Sequence, residues 1–317
     1  MTSMPDQPAK PPFHGRQDRP KAYMVSGRPV EAPPLAQGLY LVATPIGNLR
    51  DITLRALETL AAADVIACED TRVTRKLLDH YGIATPLTPY HEHNAAAARP
   101  KLLERIAAGE TVALVSDAGT PLVSDPGFKL VRAAHEAGHA VIAVPGASAA
   151  LAALTVSGLP TDRFFFEGFL PAKDGARRAR IAELGRVPAT LILYESGPRM
   201  ARTLAALAQT LGPREAAIGR ELTKLHEEVR RADLAALARA YEAGAETRGE
   251  FVIVIAPPDA EAAVADAADV DVLLRQALQR VSVKDAVSDV AAATGRPRRE
   301  VYRRALALAG GGDDETR

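Results

Sequence analysis

The chain has little of what marks a secreted or membrane protein. Its 317 residues include one cysteine, Cys68, which excludes an intrachain disulfide framework. No apolar stretch approaches the roughly 20 residues that span a bilayer, and residues 1–34 lack the apolar segment of a signal peptide. We therefore expect a cytoplasmic protein with no membrane partner, in which Cys68 is a small buried core residue.

Net charge of one sign is also missing. Lysine plus arginine equals aspartate plus glutamate at 39 each, so the formal net charge at pH 7 is zero. Any surface that binds nucleic acid must then be local. Residues 1–37, rich in Pro, Gln, Arg and Lys, are predicted to form a disordered basic tail, either solvated or in contact with RNA.

Two phosphate-binding signatures are absent as well. The chain contains neither the dinucleotide fingerprint G-x-G-x-x-G nor the phosphate loop G-x-x-x-x-G-K-[ST]. These absences argue against a nicotinamide-dependent dehydrogenase and against a nucleoside triphosphatase.

What the chain does have is an alternation of short β-rich runs with helical patterns. Four apolar runs between Leu39 and Val144 predict strands, and helical patterns such as 53–63 and 95–108 separate them. Strands that alternate with helices are typical of parallel sheets. We therefore predict a first α/β domain, with mainly parallel strands, over residues 38–158.

The alternation continues in a second segment and then stops. Further strand and helix patterns predict another α/β domain over residues 159–257. After Ala256 a Pro-Pro dipeptide marks a linker, and three short helical patterns predict a C-terminal module over residues 268–310.

The turn Ser116–Gly127, with the sequence SDAGTPLVSDPG, is the most informative stretch of the chain. It follows an apolar run and precedes a helical pattern. Its glycines and prolines fix tight bends, while carboxylates, hydroxyls and amides remain available. Because ligands of open α/β sheets bind beyond the carboxyl ends of the strands, this turn is a predicted ligand site. The alternative is a plain strand-to-helix connection.

Three more polar turns follow predicted strands, at Thr44–Thr53, Val144–Ser148 and Tyr194–Arg199. Asn48 or Asp51 is placed to cap the helix after the first of them. Each turn can present hydroxyl or N–H groups to one ligand held between the two domains.

The predicted C-terminal helices resemble a helix-turn-helix unit rich in arginine. Five arginines fall within nine residues: Arg296, Arg298, Arg299, Arg303 and Arg304. They predict either a local phosphate-binding surface or a solvated helix face with ordinary salt bridges.

Eight motifs follow one another along the chain: Leu41–Leu49, Glu69–Arg72, His91–Asn94, Ser116–Gly127, Glu167–Lys173, Tyr194–Ser196, Arg220–Lys224 and Gly249–Glu250. In this order and spacing, across residues 39–309, they closely resemble the ribosomal RNA small-subunit methyltransferase I family. That family belongs to the tetrapyrrole-methylase-like class, class III of the S-adenosylmethionine methyltransferases. It methylates the 2′-hydroxyl of a decoding-centre cytidine in 16S rRNA.

The resemblance implies a two-domain α/β fold with a small helical C-terminal module, a homodimer, and S-adenosylmethionine in the cleft between the domains. It also implies the residues that approach the cofactor: Pro45, Asp117, Ala118, Thr120, Val123, Ser148, Ala149, Tyr194, Leu222 and Glu250. Relatives that methylate tetrapyrroles have a glycine-rich first turn, whereas this chain has Thr44-Pro-Ile-Gly47. The difference favours the rRNA branch and 16S rRNA of the small subunit as partner.

Methyl transfer to a ribose hydroxyl needs a group that removes the proton or stabilises the developing alkoxide. The segment Arg220–Glu228 offers three candidate catalytic residues: Lys224, Glu227 and Glu221. We expect Lys224 and Glu227 to form the polar pair nearest the hydroxyl, a simple helix-surface pair being the alternative.

Residues expected to contact the RNA are Arg72, His91, His93, Lys173, Arg177, Arg178, Arg298 and Arg299. For Glu69–Arg72, capping of the following helix is an equally good interpretation. No metal site is expected at His91 and His93, because no third ligand stands at the usual spacing.

Two other functions fit parts of the pattern. A methylase of the same fold would act on a small tetrapyrrole instead of RNA. A non-catalytic ribosome assembly factor would use the basic helix and consume no cofactor, so it would not need to bind S-adenosylmethionine.

Overall fold

A computed structural model describes residues 21–125, 127–258, 270–294 and 296–310. Most of the predicted tail, residues 1–20, and most of the predicted linker, residues 259–269, lie outside the described residues. The elements of the N-terminal part are β1 (Ala22–Val25), β2 (Arg28–Glu31), β3 (Gly38–Val42), α1 (Leu54–Ala62), β4 (Val65–Cys68), α2 (Thr71–His80), β5 (Leu87–Pro89), α3 (Ala95–Ala107), β6 (Thr111–Leu114), α4 (Phe128–Glu136), β7 (Val141–Val144) and α5 (Ala149–Ser157).

The first sheet is parallel, as the alternating pattern predicts. Its strands lie in the order β5-β4-β6-β3-β7, and every described pair is parallel. All residues of β4 and β6 are buried, which explains why both strands are continuous apolar runs. Cys68, at the end of β4, is fully buried as expected. The carboxyl ends of β6 and β7 lead into the turns at Ser116 and Val144.

Side-chain caps fix where the first helices begin. Thr53 caps α1 by accepting a hydrogen bond from the Ala56 amide, at 3.1 Å. The expectation that Asn48 or Asp51 caps this helix is therefore wrong, since Asn48 instead caps a short 3₁₀ turn, Leu49–Asp51. Asp70 caps α2 through the Arg72 amide, which confirms the capping interpretation of Glu69–Arg72.

The prediction of a disordered tail through residue 37 is wrong for its described part. Strands β1 and β2 form an antiparallel hairpin through Ser26 and Gly27, both with positive φ, the geometry of a two-residue hairpin turn. The Tyr23 side chain is buried in the core beside α1, and the Met24 amide donates to the Tyr81 carbonyl at 2.7 Å. The Pro, Gln, Arg and Lys content of the whole segment predicted disorder, although the short run around Tyr23 forms a strand.

The second part contains β8 (Phe164–Phe169), α6 (Asp174–Leu184), β9 (Thr190–Ser196), α7 (Met200–Leu211), β10 (Glu215–Arg220), β11 (Glu228–Asp233), α8 (Leu234–Glu242) and β12 (Glu250–Ile255). Its sheet has the order β11-β10-β12-β9-β8, in which the β8–β9 pair is parallel and the other pairs are antiparallel. The core on one face of this sheet is closed by α6, α7 and α8. Helix α5 packs against the other face and joins the two domains.

A loop, not a helix, carries the candidate catalytic residues. Strands β10 and β11 pair with Arg220 opposite Glu228, so residues 221–227 form the connection between them. Glu221 and Thr223 have φ of 50° and 68°, a conformation that non-glycine residues seldom adopt. The alternative of a helix-surface pair for Lys224 and Glu227 is therefore wrong.

The C-terminal module consists of α9 (residues 270–278), α10 (Val283–Thr294) and α11 (Arg298–Gly310). It has a small core of its own, formed by Val270, Leu274, Val287, Val290, Ala291, Val301 and Ala305. Within the described ranges, no helix of the chain has the length and hydropathy to cross a bilayer.

Candidate active site between the two domains

A cavity of about 290 Å³, here called the first cavity, lies between the two domains at the carboxyl end of the first sheet. Cavities of this order hold small-molecule ligands. Eight of the ten residues that the resemblance assigns to the cofactor line it, five from the first domain and three from the second: Ala118, Thr120, Val123, Ser148, Ala149, Tyr194, Leu222 and Glu250.

A second cavity of about 300 Å³ adjoins the first and shares Ile46, Ala118 and Glu250 with it. The structure places the other two assigned residues, Pro45 and Asp117, in the wall of this second cavity. The two cavities meet at the end of the first sheet, so the region contains two adjoining spaces.

The turns that line the first cavity hold one another in place. Thr44 and Gly119 exchange two backbone hydrogen bonds of 2.9 and 3.1 Å, and the Thr120 hydroxyl donates to the Ala147 carbonyl at 3.1 Å. Leu122 and Ser124 have φ of 73° and 63°. The described part of this turn, residues 116–125, is thus held by hydrogen bonds to its neighbours.

Asp125, which the sequence interpretation did not single out, lines the first cavity. Burial raises the pKa of its carboxyl to about 6, and the nearby Glu69 carboxylate adds to the shift. The pKa of Glu69 is raised too, by burial and by Asp117. A partly buried carboxylate with a raised pKa inside a cavity is typical of a ligand site, and it favours a cationic ligand. In the sequence, the signal that could have identified Asp125 is its place in the Ser116–Gly127 turn.

Lys224 lies in the wall of the second cavity, and two carboxylates fix its ammonium group. Its Nζ donates to Glu221 Oε1 at 2.7 Å and to Glu250 Oε2 at 2.8 Å. The expected pairing of Lys224 with Glu227 is wrong, because Glu227 instead accepts from the Thr223 amide at 2.5 Å. The sequence spacing did not reveal Glu250 as a partner, since it comes from another strand, β12.

The protonation states in this group follow from its ion pairs. Burial opposes the charge on Lys224, but the hydrogen bonds to Glu221 and Glu250 outweigh that effect and raise its pKa. Burial likewise opposes ionisation of Glu221, yet the bonds from Lys224 and the Glu250 amide lower its pKa. At neutral pH Lys224 is therefore a cation that can stabilise negative charge and is a poor proton acceptor.

Gly47 allows Lys224 to reach the first turn. A Cβ atom at Gly47 would lie 2.4 Å from Lys224 Cγ, which is closer than non-bonded carbons approach. The Asn48 amide also donates to the Thr223 hydroxyl at 3.2 Å, so the loop of the second domain rests on the turn of the first. This contact gives the glycine of the Thr44-Pro-Ile-Gly47 motif a physical role.

Thr74 is a second residue that the sequence interpretation missed. It lines the second cavity from α2 and is 3% exposed, and its Oγ1 makes no hydrogen bond to a nitrogen or oxygen atom of the described residues. Burial raises the pKa of the Cys68 thiol, and the Thr74 hydroxyl opposes that shift by donating toward the sulfur, a weak acceptor.

The residues expected to contact RNA lie at several places on the surface. Arg72 is exposed at the start of α2 and pairs with Asp70 at 2.6 Å. His91 is half-buried, and its ring centre lies 6.1 Å from that of the exposed His93. Among the residues that the structure describes, no three His, Cys, Asp or Glu side chains come together as metal ligands do.

At helix α6, Lys173 and Arg178 are exposed, but Arg177 is not. The prediction that Arg177 contacts RNA is wrong, because its side chain is buried, pairs with Asp174 and donates to the Ala172 carbonyl at 3.2 Å. Its spacing from Ile181 and Leu184 places it on the inner face of the helix.

The arginines near α11 divide into two groups, one held in ion pairs and one exposed. The salt-bridge interpretation is confirmed for the first group, and phosphate binding by the second stays a prediction. Arg296 pairs with Glu300 at 2.6 Å, and Arg304 pairs with Asp271 of α9 at 2.5 Å. Arg298, Arg299 and Arg303 remain exposed. The exposed group is the one available to a partner.

Comparison with known proteins identifies both parts of the chain. Residues 38–238 match the family described as tetrapyrrole (corrin/porphyrin) methylases, and residues 264–309 match the RsmI C-terminal HTH domain. The matches confirm the predicted fold class: an α/β methylase of class III with a helical C-terminal module.

Curated relatives and solved structures agree with these matches. A ribosomal RNA small subunit methyltransferase I from Mesorhizobium japonicum is 54% identical over 286 residues, which cover 90% of this chain and 97% of the relative. The protein of the same name from Erythrobacter litoralis is 53% identical over 277 residues, covering 87% and 97%. A uroporphyrin-III C-methyl transferase from Thermus thermophilus, complexed with S-adenyl homocysteine, has a similar fold (TM-score 0.50, 23% identity, covering 69% of this chain and 97% of that one).

The first cavity fits the cofactor that these proteins imply, S-adenosylmethionine. Ile46, Leu222 and Phe169 offer apolar surface for an adenine ring, and the carboxylates of Asp125 and Glu250 offer partners for a cationic ligand. The chain is an S-adenosylmethionine-dependent methyltransferase with rRNA as its substrate class. It belongs to the ribosomal RNA small subunit methyltransferase I family.

Proposed function

We propose that the chain methylates the ribose 2′-oxygen of a decoding-centre cytidine in 16S rRNA of the small ribosomal subunit. The observation that carries this proposal is the place of the Lys224 ammonium, in the wall of the second cavity and fixed by Glu221 and by Glu250, which lines both cavities. Deprotonation of a hydroxyl develops negative charge on oxygen, and a preorganised cation is the group that stabilises it.

Each residue of this group has a distinct role in the proposal. S-adenosylmethionine, when bound in the first cavity, supplies an electrophilic methyl carbon. As the oxygen–methyl bond forms and the methyl–sulfur bond breaks, the hydroxyl proton would pass to bulk water. Lys224 stabilises the negative charge that develops on the substrate oxygen, and Glu221 is a positioning residue that holds Lys224 charged. Glu227 supports the loop by accepting from the Thr223 amide. The turns at Ser116 and Val144 orient the cofactor, so that positioning lowers much of the barrier.

Recognition of the RNA is assigned to basic side chains outside the cavities, of which all but the half-buried His91 are exposed: Arg72, His91, His93, Lys173, Arg178, Arg298 and Arg299. Tyr302 is 48% exposed beside the arginines of α11, and an aromatic ring among arginines is typical of RNA-binding surfaces. Neutral overall charge predicts that shape, more than bulk attraction, selects the subunit.

A homodimer is part of the proposal, with β8 at its interface. This strand is at the free edge of the second sheet, and Phe164 and Phe165 on it are 46% and 36% exposed. Apolar side chains on an open edge favour association with another chain. A Phe164→Asp variant should shift the molar mass measured by light scattering from two chains to one.

Because the proposed substrate is the ribosomal subunit, the proposed location is the cytoplasm.

The function is tested by transfer of tritiated methyl from S-adenosylmethionine to small subunits that lack the modification. We expect label on one ribose, at a cytidine of the decoding centre, after nuclease digestion and mapping. Label on a base, or labelling of a tetrapyrrole instead of RNA, would contradict the proposal. Failure of the chain to bind the cofactor by calorimetry would favour a non-catalytic assembly factor.

A further inference from the structure

We propose that Lys76, on helix α2, binds the phosphate on the 3′ side of the target nucleotide and so holds the ribose of that nucleotide in place. This inference rests on the proposed function and deepens it, because it names the group that meets the nearest charge of the substrate. Lys76 is neither one of the candidate catalytic residues nor one of the basic residues that the proposed function assigns to RNA.

Lys76 lies on the face of α2 that forms part of the wall of the second cavity. Val73, Lys76 and Leu77 line this cavity together, at the three- and four-residue spacing that places side chains on one face of a helix. Lys224 lies in the wall of the same cavity. The two lysines therefore border one space of about 300 Å³, and the side chain of Lys76 is exposed.

Lys76 differs from the other cations around it because no carboxylate holds it. The Nζ atom of Lys224 is bound by two carboxylates, at 2.7 and 2.8 Å. Arg72, one turn earlier on α2, is bound to Asp70 at 2.6 Å. Among the residues that the structure describes, Lys76 takes part in no ion pair and no side-chain hydrogen bond. Its charge is thus available to an anionic ligand.

The chemistry of the proposed substrate calls for such a cation. In RNA the 3′-phosphate is attached to the ribose carbon next to the one that bears the 2′-hydroxyl, so a 2′-oxygen at Lys224 brings a phosphate to the second cavity. Lys224 and its two carboxylates together carry a net negative charge, and Asp117 adds another carboxylate to the wall. These groups repel a phosphate. Lys76 supplies the compensating positive charge.

The first test is methyl transfer to unmodified small subunits by Lys76→Met and Lys76→Arg. Lys76→Met removes the charge and keeps most of the apolar stem, so KM for the subunit should rise about tenfold, with little change in kcat. The slope of log affinity against log salt should become shallower by about 0.7–0.9, the effect of one lost phosphate contact. Lys76→Arg keeps the charge and should restore KM. Lys101→Met, at an exposed position on α3, is the control.

A second measurement locates the phosphate that Lys76 meets. Small subunits are reconstituted with 16S rRNA that carries an uncharged methylphosphonate on the 3′ side of the target, and 2′-deoxycytidine at the target prevents strand cleavage. Binding is compared with that of subunits that carry the deoxycytidine and an ordinary phosphate. The methylphosphonate should weaken binding about tenfold for the wild type and hardly at all for Lys76→Met, because the same contact is already lost.

Equal losses in the two proteins would show that Lys76 meets another group and would overturn the inference. An unchanged KM in Lys76→Met would overturn it too. So would weaker binding of S-adenosylmethionine by this variant, because the carboxylate of the cofactor would then be the ligand. Label on a base in the wild type refutes the proposed function instead. The salt slope does not depend on which atom is methylated, so it still reports the phosphate contact of Lys76.

Discussion

The two cavities of the site are built in different ways. The first is lined by turns at strand ends, which local hydrogen bonds fix, and by residues of β9 and β12. The second shares those turns and adds side chains of α2 and Lys224 of the loop at residues 221–227, which are distant in sequence. In the proposed function, the first cavity binds the cofactor and the second provides the group that stabilises the substrate oxygen.

Removal of the Lys224 charge should give the largest effect, a loss of reaction rate without a loss of cofactor affinity. Lys224→Met should lower kcat about 10²–10³-fold, the usual effect of losing one group that stabilises an oxyanion. The Kd for S-adenosylmethionine, measured by calorimetry, should change little. Lys101→Met, at an exposed position on α3, is the control and should leave both quantities unchanged. A large loss of cofactor affinity in Lys224→Met would contradict the assignment of cofactor binding to the first cavity.

A methyl group at Gly47 should produce the next largest effect. Gly47→Ala places a Cβ against Lys224 Cγ and forces the lysine side chain to move. Misplacement of about 1 Å can cost up to about 100-fold in rate, so we expect kcat to fall about 10- to 100-fold. Gly175→Ala is the control, since a Cβ there meets nothing within 4 Å. Equal activity of the two variants would contradict the role of Gly47.

Asp125 should give cofactor binding a dependence on pH that the second cavity lacks. A cation binds the ionised carboxylate, so affinity for S-adenosylmethionine should rise as the pH rises through about 6. One pH unit below that pKa the group is mostly neutral, and binding at pH 5 should be about tenfold weaker than at pH 7. Calorimetry should show that the affinity of Asp125→Asn no longer depends on pH in this range. Asp79→Asn, at an exposed position on α2, is the control and should keep the pH dependence of the wild type.

The same carboxyl affects stability in the opposite direction when no ligand is bound. Its folded pKa of about 6 exceeds the ordinary 3.8, so the folded chain holds the proton longer than the unfolded chain. Between these two values the free energy of unfolding should fall as pH rises. Denaturant unfolding of wild type and Asp125→Asn at pH 4 and pH 7 measures this change. If the stability difference between the two proteins is the same at both pH values, the Asp125 carboxyl has an ordinary pKa and the prediction is wrong.

The arginines on α11 should have the smallest effect, because they lie outside both cavities. Arg298→Ala with Arg299→Ala should weaken binding to small subunits about threefold at moderate salt. The slope of log affinity against log salt should become shallower by about one to two units, since two phosphate contacts are lost. Arg202→Ala, exposed on α7, is the control. A change in kcat for the α11 variant would contradict this separation.

Sequence reasoning reached the first cavity more easily than the second for a physical reason. Turns such as Ser116–Gly127 combine local backbone signals with a known place at the end of a strand, and both can be recognised along the chain. The partner of Lys224 could not, because Glu250 joins it only after β12 pairs with β10. The burial of the Thr74 hydroxyl depends on packing and has no signature in sequence.

The same limits explain the errors in the fold. The strand β11 has no signature of its own in the sequence, because its charged segment, Glu228–Asp233, lacks an apolar run and its partner β10 supplies the buried residues. Arg177 looked like a surface cation, yet its position on α6 turns it inward. Composition describes averages over a segment, whereas burial depends on the orientation of each side chain.

Lys224 belongs to the second domain, and the turn that receives it, at Gly47, belongs to the first. A hinge motion that opened the domains would carry the lysine and its two glutamates away together, because all three are in the second domain. In the proposed function, the reaction would then need the two domains to be together, because Lys224 meets the turn at Gly47 only in that arrangement.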